Sequence, residues 1–167
     1  NVRFAINVSA HGFHDPVVGG GRADSCGDYG GDRGTCMFEI TETAALEDLP
    51  AARKLMETIK TLGCSFTLDD FGVGFSSFYY IRQLPIDVVK IDGSFIRNLA
   101  DNPDDQILVK ALCDVARGFG KQTTAEFVES AATFSLLEKM QVDYAQGYWI
   151  GTPVPAHESP FKDFLQE

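Results

Sequence analysis

The stretch "CSFTLDDFGVGFSSFYYIRQLPIDVVKIDG", residues 64–93, carries one full unit of the pattern that decides the fold. An apolar run of strand length, "CSFTL" (64–68), ends in two adjacent carboxylates, Asp69 and Asp70. Glycines follow, then a short helical pattern in "SSFYYIRQLP" (76–85) that Pro85 closes. A second run, "DVVKI" (87–91), carries Lys90 and leads into Asp92. Strand, helix, strand in this order means parallel pairing under a covering helix. The paired acids raise a second question. Like charges side by side repel, and each is costly to desolvate. A fold keeps them where water reaches them, or where a cation lies between them. The latter points to a divalent metal.

The same unit recurs along the chain. Six strand-length runs stand out: "FAINV" (4–8), "CMFEI" (36–40), "CSFTL" (64–68), "DVVKI" (87–91), "TTAEFV" (123–128) and "VDYAQG" (142–147). Helical patterns separate the later ones. "DLPAARKLMETIKTLG" repeats Ala52, Leu55, Ile59 and Leu62 at helical spacing, with Pro50 in the first turn and Gly63 as a stop. "NPDDQILVKALCDVARGFG" starts with Asn102 as cap, Pro103, and two aspartates at the positive end of the helix dipole. Its expected apolar face is Ile107, Leu108, Ala111, Leu112 and Val115. "ESAATFSLLEKMQ" predicts a third helix through Phe134, Leu137 and Met140.

An open doubly wound sheet and a (β/α)8 barrel both fit this alternation. The polar residues choose between them. Asn7, Glu39, Asp69, Asp70, Lys90, Asp92, Glu126 and Gln146 each stand at or near the C-terminal end of a run. In a barrel such residues converge on one mouth. In an open sheet they would be strung along a line. The expectation is an α/β, TIM-like (β/α) barrel, incomplete, with about six of eight strands. The start at Asn1 rather than Met adds the expectation of a fragment, with two N-terminal strands absent or supplied by another chain.

With 167 residues, 44% hydrophobic and 23% charged, the chain suits one globular domain. No apolar run reaches the roughly 18 residues that span a bilayer. The net charge of −10 disfavours general nucleic-acid binding. Cys26, Cys36, Cys64 and Cys113 form no CxxC pair, which argues against zinc. Cys64 and Cys113 fall in apolar segments and read as buried thiols, and a cytoplasmic location fits best.

Residues 17–37 break the pattern, with seven of the sixteen glycines where a helix should connect two strands. Each glycine costs a helix about 1 kcal/mol against alanine. A flexible loop, an anion-cradling glycine loop, and a helix scrambled by two compensating frame slips all remain open. The second is weakened by the absence of a G-x-x-x-x-G-K-[ST] pattern.

Six pieces together resemble the EAL-domain family of bacterial cyclic-di-GMP phosphodiesterases. They are "INVS" (6–9), "EITE" (39–42), "DDFGVGFSS" (69–77), "VVKIDGSFI" (88–96), "AEFVES" (125–130) and "AQGYWIGTPVP" (145–155). The resemblance implies one partial EAL domain over residues 1–167, the C-terminal two-thirds of the family's barrel. It implies metal-dependent opening of cyclic-di-GMP to pGpG with Mg2+ or Mn2+, in a two-metal site in the complete domain. Asn7, Glu39, Asp69 and Asp70 would bind metal. Lys90 and Glu126 would be catalytic, Gln146 and Glu129 would contact substrate, and Glu42 would support the "DDFGVGFSS" loop. Oxygen donors of this kind suit hard divalent ions. Taken singly, each has an ordinary reading, such as a helix cap for Asp70 or a turn for Asn7. Their joint spacing is what carries the chemistry. The family also implies sensory or diguanylate-cyclase domains in a longer parent, which those domains can anchor to a membrane, and an EAL homodimer.

The chain departs from the family's pattern at three places. The Glu-Ala-Leu signature, whose glutamate is a metal ligand, does not occur among these 167 residues. Phe127 replaces the glycine of "AEGVE", with crowding of the mouth or a shift of Glu126 as the expected consequence. The glycine segment replaces a helix. A phosphodiesterase in its full-length parent, inactive as this chain alone, is therefore set beside a degenerate, non-hydrolytic cyclic-di-GMP receptor or protein-interaction module. An unrelated metal-dependent barrel enzyme is a distant third.

Overall fold

The computed structural model describes residues 3–14, 36–73, 79–155 and 158. Among these, six parallel strands form one sheet in sequence order: β1 Phe4–Asn7, β2 Cys36–Thr41, β3 Ser65–Phe71, β4 Val88–Ile91, β5 Gln122–Ala125 and β6 Tyr144–Ala145. The helices are α1 Glu42–Glu47, α2 Leu49–Lys60, α3 Tyr79–Gln83, α4 Gly93–Ile96, α5 Pro103–Gly118 and α6 Ala131–Lys139, with a 3-10 turn at Ala10–His14. Each run expected to be a strand overlaps one. Cys36 and Met37 open β2, so the glycine segment ends before them. Residues 17–35 of that segment, and so the choice among its three readings, lie outside the described residues.

The caps follow the local sequence. Asn102 accepts from the N–H of Asp104, Ser130 from Thr133 and Asp48 from Ala51, each satisfying an amide that has no partner inside its helix. Gly63 sits at φ +89°, which suits the glycine that ends α2. The sequence reading missed α1 and α4. Both are single short turns, capped by Thr41 and Asp92, too brief to show a periodicity.

Strand alternation divides the sheet into two faces. Phe38, Ile40, Phe66, Leu68, Val89, Ile91 and Ala125 join the core under the helices. Phe38 and Phe66 stack there with centroids 5.6 Å apart. The opposite, concave face borders a cavity of about 250 Å³, with Arg3, Glu39, Thr67, Lys90, Thr124 and Gln146 in its lining. The architecture is thus an incomplete TIM-like barrel, with β1 and β6 at its two open edges.

Helix α5 lands differently from its expected face. It buries Val109, Leu112, Cys113 and Ala116, while Ile107 is 70% exposed and Leu108 and Ala111 also face outward. Positions 109, 112, 113 and 116 form an i, i+3, i+4, i+7 stripe as well. With two stripes available, docking onto the sheet makes the choice. Burial pushes the Cys113 thiol up to about 11, so it stays protonated inside this core.

Candidate active site

Alternation carries Glu39, Asp69 and Lys90 to the concave side of β2, β3 and β4, and Glu126 follows directly after β5. The Lys90 ammonium, 5% exposed as a residue, is their meeting point. Its Nζ lies 2.7 Å from Glu126 Oε1, 3.0 Å from Asp69 Oδ1 and 3.5 Å from Glu39 Oε2. Burial alone would lower its pKa. Hydrogen bonds to Glu126 and Asp69, with their charges, outweigh burial and hold it above the ordinary lysine range. Burial pushes the Glu126 carboxyl upward, with Lys90 opposing.

Asp69 and Asp70 belong to one strand, so regular alternation would send them to opposite faces. A bulge prevents this. Leu68 pairs with Val89 but Phe71 pairs with Ile91, so β3 spends one extra residue there. Asp70 takes φ +55°, and its N–H donates to Asp69 Oδ1 at 3.0 Å. Asp69, Asp70 and Glu126 consequently offer oxygens that all lie within 4.8 Å of one another. Burial, then the neighbouring charges of Asp69 and Asp92, push the Asp70 carboxyl upward. Three carboxylates at this spacing present an all-oxygen donor set, which fits a hard divalent cation.

The other expected residues lie around this cluster. Asn7 is exposed on β1 and pairs in register with Glu39. Glu42, buried in the first turn of α1, accepts the Gly72 N–H at 3.3 Å, just beyond the bulge. Gln146 is tied by its backbone to Ala125 and Val128 and lines the cavity. Glu129 is exposed and makes no hydrogen bond or ion pair among the described residues. Asp92 caps α4 through the Ser94 N–H at 2.8 Å.

Comparison with known proteins adds to this geometry. The EAL domain family matches residues 1–153. The chain belongs to the EAL-domain family. It is 48% identical, over 118 residues, to "Cyclic di-GMP phosphodiesterase PdeB" of Shewanella oneidensis, which covers 71% of this chain and 14% of that protein. The PaMucR phosphodiesterase solved in complex with c-di-GMP superposes with a TM-score of 0.87 at 30% identity, over 93% of this chain and 63% of that one. The EAL domain of FimX from Pseudomonas aeruginosa, bound to c-di-GMP, gives 0.84 at 26% identity, over 90% and 62%. The chain thus spans less than two-thirds of each of these three proteins.

Within this EAL chain, Phe127 has φ +52°, the left-handed region that favours glycine. Its ring turns toward Gly93 at the start of α4, and the Arg97 guanidinium lies 4.2 Å above the ring centroid. Glu126 keeps its 2.7 Å contact with Lys90. Thr67, inside the cavity, has a buried hydroxyl with no hydrogen-bond partner among the described residues. The sequence reading passed over Thr67 and Arg97, because a lone threonine in a strand and a lone arginine after a short turn carry no motif. No helix among the described residues is long and apolar enough to cross a membrane.

Proposed function

We propose that this chain is the larger part of a cyclic-di-GMP phosphodiesterase site that opens one phosphodiester to give pGpG. The observation that carries the reading is the convergence of Glu39, Asp69, Asp70, Lys90 and Glu126, from four parts of the sequence, on one end of the sheet. Asp69, Asp70 and Glu126 would hold the divalent cation, Mg2+ or Mn2+, with Glu39 and Asn7 extending the donor set toward β1. A bound cation neutralises phosphate charge and makes a coordinated water more acidic.

The chain's own groups do the rest. Glu126 accepts the proton of the attacking water at a carboxylate oxygen. Lys90 donates from Nζ to the phosphoryl oxygen on which charge builds. As the water oxygen bonds to phosphorus, the bond to the leaving ribose oxygen breaks and that oxygen takes up a proton from solvent. Gln146 and Glu129 contact the dinucleotide, and Glu42 fixes Gly72 and with it the loop after Asp70.

Without a Glu-Ala-Leu glutamate the donor set is one carboxylate short of the family's, so hydrolysis by this chain alone is weak or absent. A second reading, a receptor that binds cyclic-di-GMP without turnover, has in its favour the strained Phe127 directly beside Glu126. A longer parent with further domains, an EAL homodimer and a cytoplasmic location complete the proposal. The test is incubation of the full-length parent with cyclic-di-GMP and Mg2+. Formation of pGpG that Glu126→Gln abolishes supports the enzyme, and saturable binding without product supports the receptor. Absence of both refutes the two readings together.

A further inference from the structure

We propose that Lys90 is the resident counter-ion of the carboxylate cluster and that loading of a divalent cation releases its ammonium for the substrate phosphate. The inference rests on the reading of the site given above and deepens it. An ammonium has three N–H donors and no acceptor. The Lys90 Nζ has three carboxylates in reach, at 2.7, 3.0 and 3.5 Å, and so has a partner for every donor. In this state no N–H is left for a phosphoryl oxygen. Two of those partners, Asp69 and Glu126, are also two of the three carboxylates grouped within 4.8 Å. The same two carboxylates therefore answer to the ammonium here and would answer to a bound cation. The lysine has nowhere else to go within the sheet. It is almost fully buried, and its strand neighbours Val89 and Ile91 point into the apolar core. Its one free direction is the mouth, where the phosphate arrives.

Two consequences follow. The ammonium keeps the acidic cluster together when no cation is bound, and it weakens cation binding by competing for Asp69 and Glu126. Cation and phosphodiester then bind cooperatively, because each relieves a charge that the other meets.

Isothermal titration of Mn2+ at fixed pH tests this without any turnover. Lys90→Met is expected to bind Mn2+ about 10-fold more tightly or better, from the loss of a positive charge a few ångströms away, while Lys90→Arg stays within about 3-fold of the unmodified protein. In the unmodified protein, the Lys90 side-chain ammonium resonance should shift on saturation with diamagnetic Mg2+. Unchanged or weaker Mn2+ binding by folded Lys90→Met overturns the proposal. If that variant does not fold, the ammonium resonance decides alone, and its constancy at saturating Mg2+ is the overturning result. Glu126→Gln separates the two levels. Weaker Mn2+ binding by this variant keeps the site reading, whatever Lys90 does. Unaltered binding removes Glu126 from the metal site and the proposal with it.

Discussion

Gly93→Ala should destabilise the protein through one side chain, and replacing that side chain should undo the damage. A Cβ built on Gly93 falls 2.0 Å from Phe127 Cδ2, 2.6 Å from Cγ and 2.8 Å from Cε2. Carbon atoms pack at about 3.5–4.0 Å, so the ring must retreat by roughly 1.5 Å. Its escape is restricted, since Arg97 lies 4.2 Å from the ring centroid and Phe127 is already at φ +52°. Overpacking of this kind costs about 1–3 kcal/mol. For a chain of this size each kcal/mol lowers the melting temperature by about 2–4 °C. Phe127→Gly removes the obstacle. It relieves about 1–2 kcal/mol of left-handed strain and gives up the ring's packing and a cation–π contact of about 0.5–1 kcal/mol, so alone it should be nearly neutral. In the double variant, the added methyl group has room, and the cost of Gly93→Ala should largely vanish. The cycle therefore predicts a coupling of about 1–3 kcal/mol between residues 93 and 127, read from urea or thermal denaturation of the four proteins. Additivity within about 0.5 kcal/mol would refute the packing argument.

The raised carboxyls of Glu126 and Asp70 set a pH dependence. Because their folded pKa values exceed the unfolded ones, their contribution to stability is full below the ordinary carboxylate range and is lost as pH rises through the raised values. Denaturation of metal-free protein against Glu126→Gln should show the stability difference moving against the unmodified protein over that window. Mn2+ affinity should rise over the same window as the carboxylates ionise, and a flat difference would contradict the assignment. Lys90 behaves as a different case. Its raised pKa keeps its contribution intact at neutral pH, and only alkaline titration removes it. Glu42→Ala leaves the Gly72 N–H without its acceptor and should cost about 1–3 kcal/mol, with weaker Mn2+ binding because Gly72 follows the Asp69–Asp70 bulge. Glu42→Gln, which keeps an acceptor, should cost less, and equal losses in urea melts would count against the bond. Thr67→Val removes a buried, unpartnered hydroxyl and should stabilise by about 1 kcal/mol, whereas a loss would mean that the hydroxyl has a partner.

The strand runs, the capped helices and the parallel order were all legible in the chain, because period-2 and period-3.6 patterns are local properties of sequence. So was the convergence of polar groups on one rim, since each follows from its place at the end of a run. The short turns α1 and α4 escaped because neither is long enough to repeat a pattern. The docked stripe of α5 was ambiguous, because Ile107 and Leu108 are as apolar as Val109 and Leu112 and only packing against the sheet separates them. The site itself was decided by contacts that no local pattern encodes. Adjacent aspartates in a regular strand face opposite ways, and it is the bulge opposite β4 and the left-handed Asp70 that bring both carboxylates to Glu126. A lysine in "VVKI" reads as any strand-end lysine. Its three acidic partners come from β2, β3 and the end of β5, and only a curved parallel sheet gathers them around one nitrogen. The sequence by itself determined which groups stand at the rim. The tertiary structure decided which of them touch, because sequence periodicity fixes a side chain's face while inter-strand register and local irregularity fix its distance to every other.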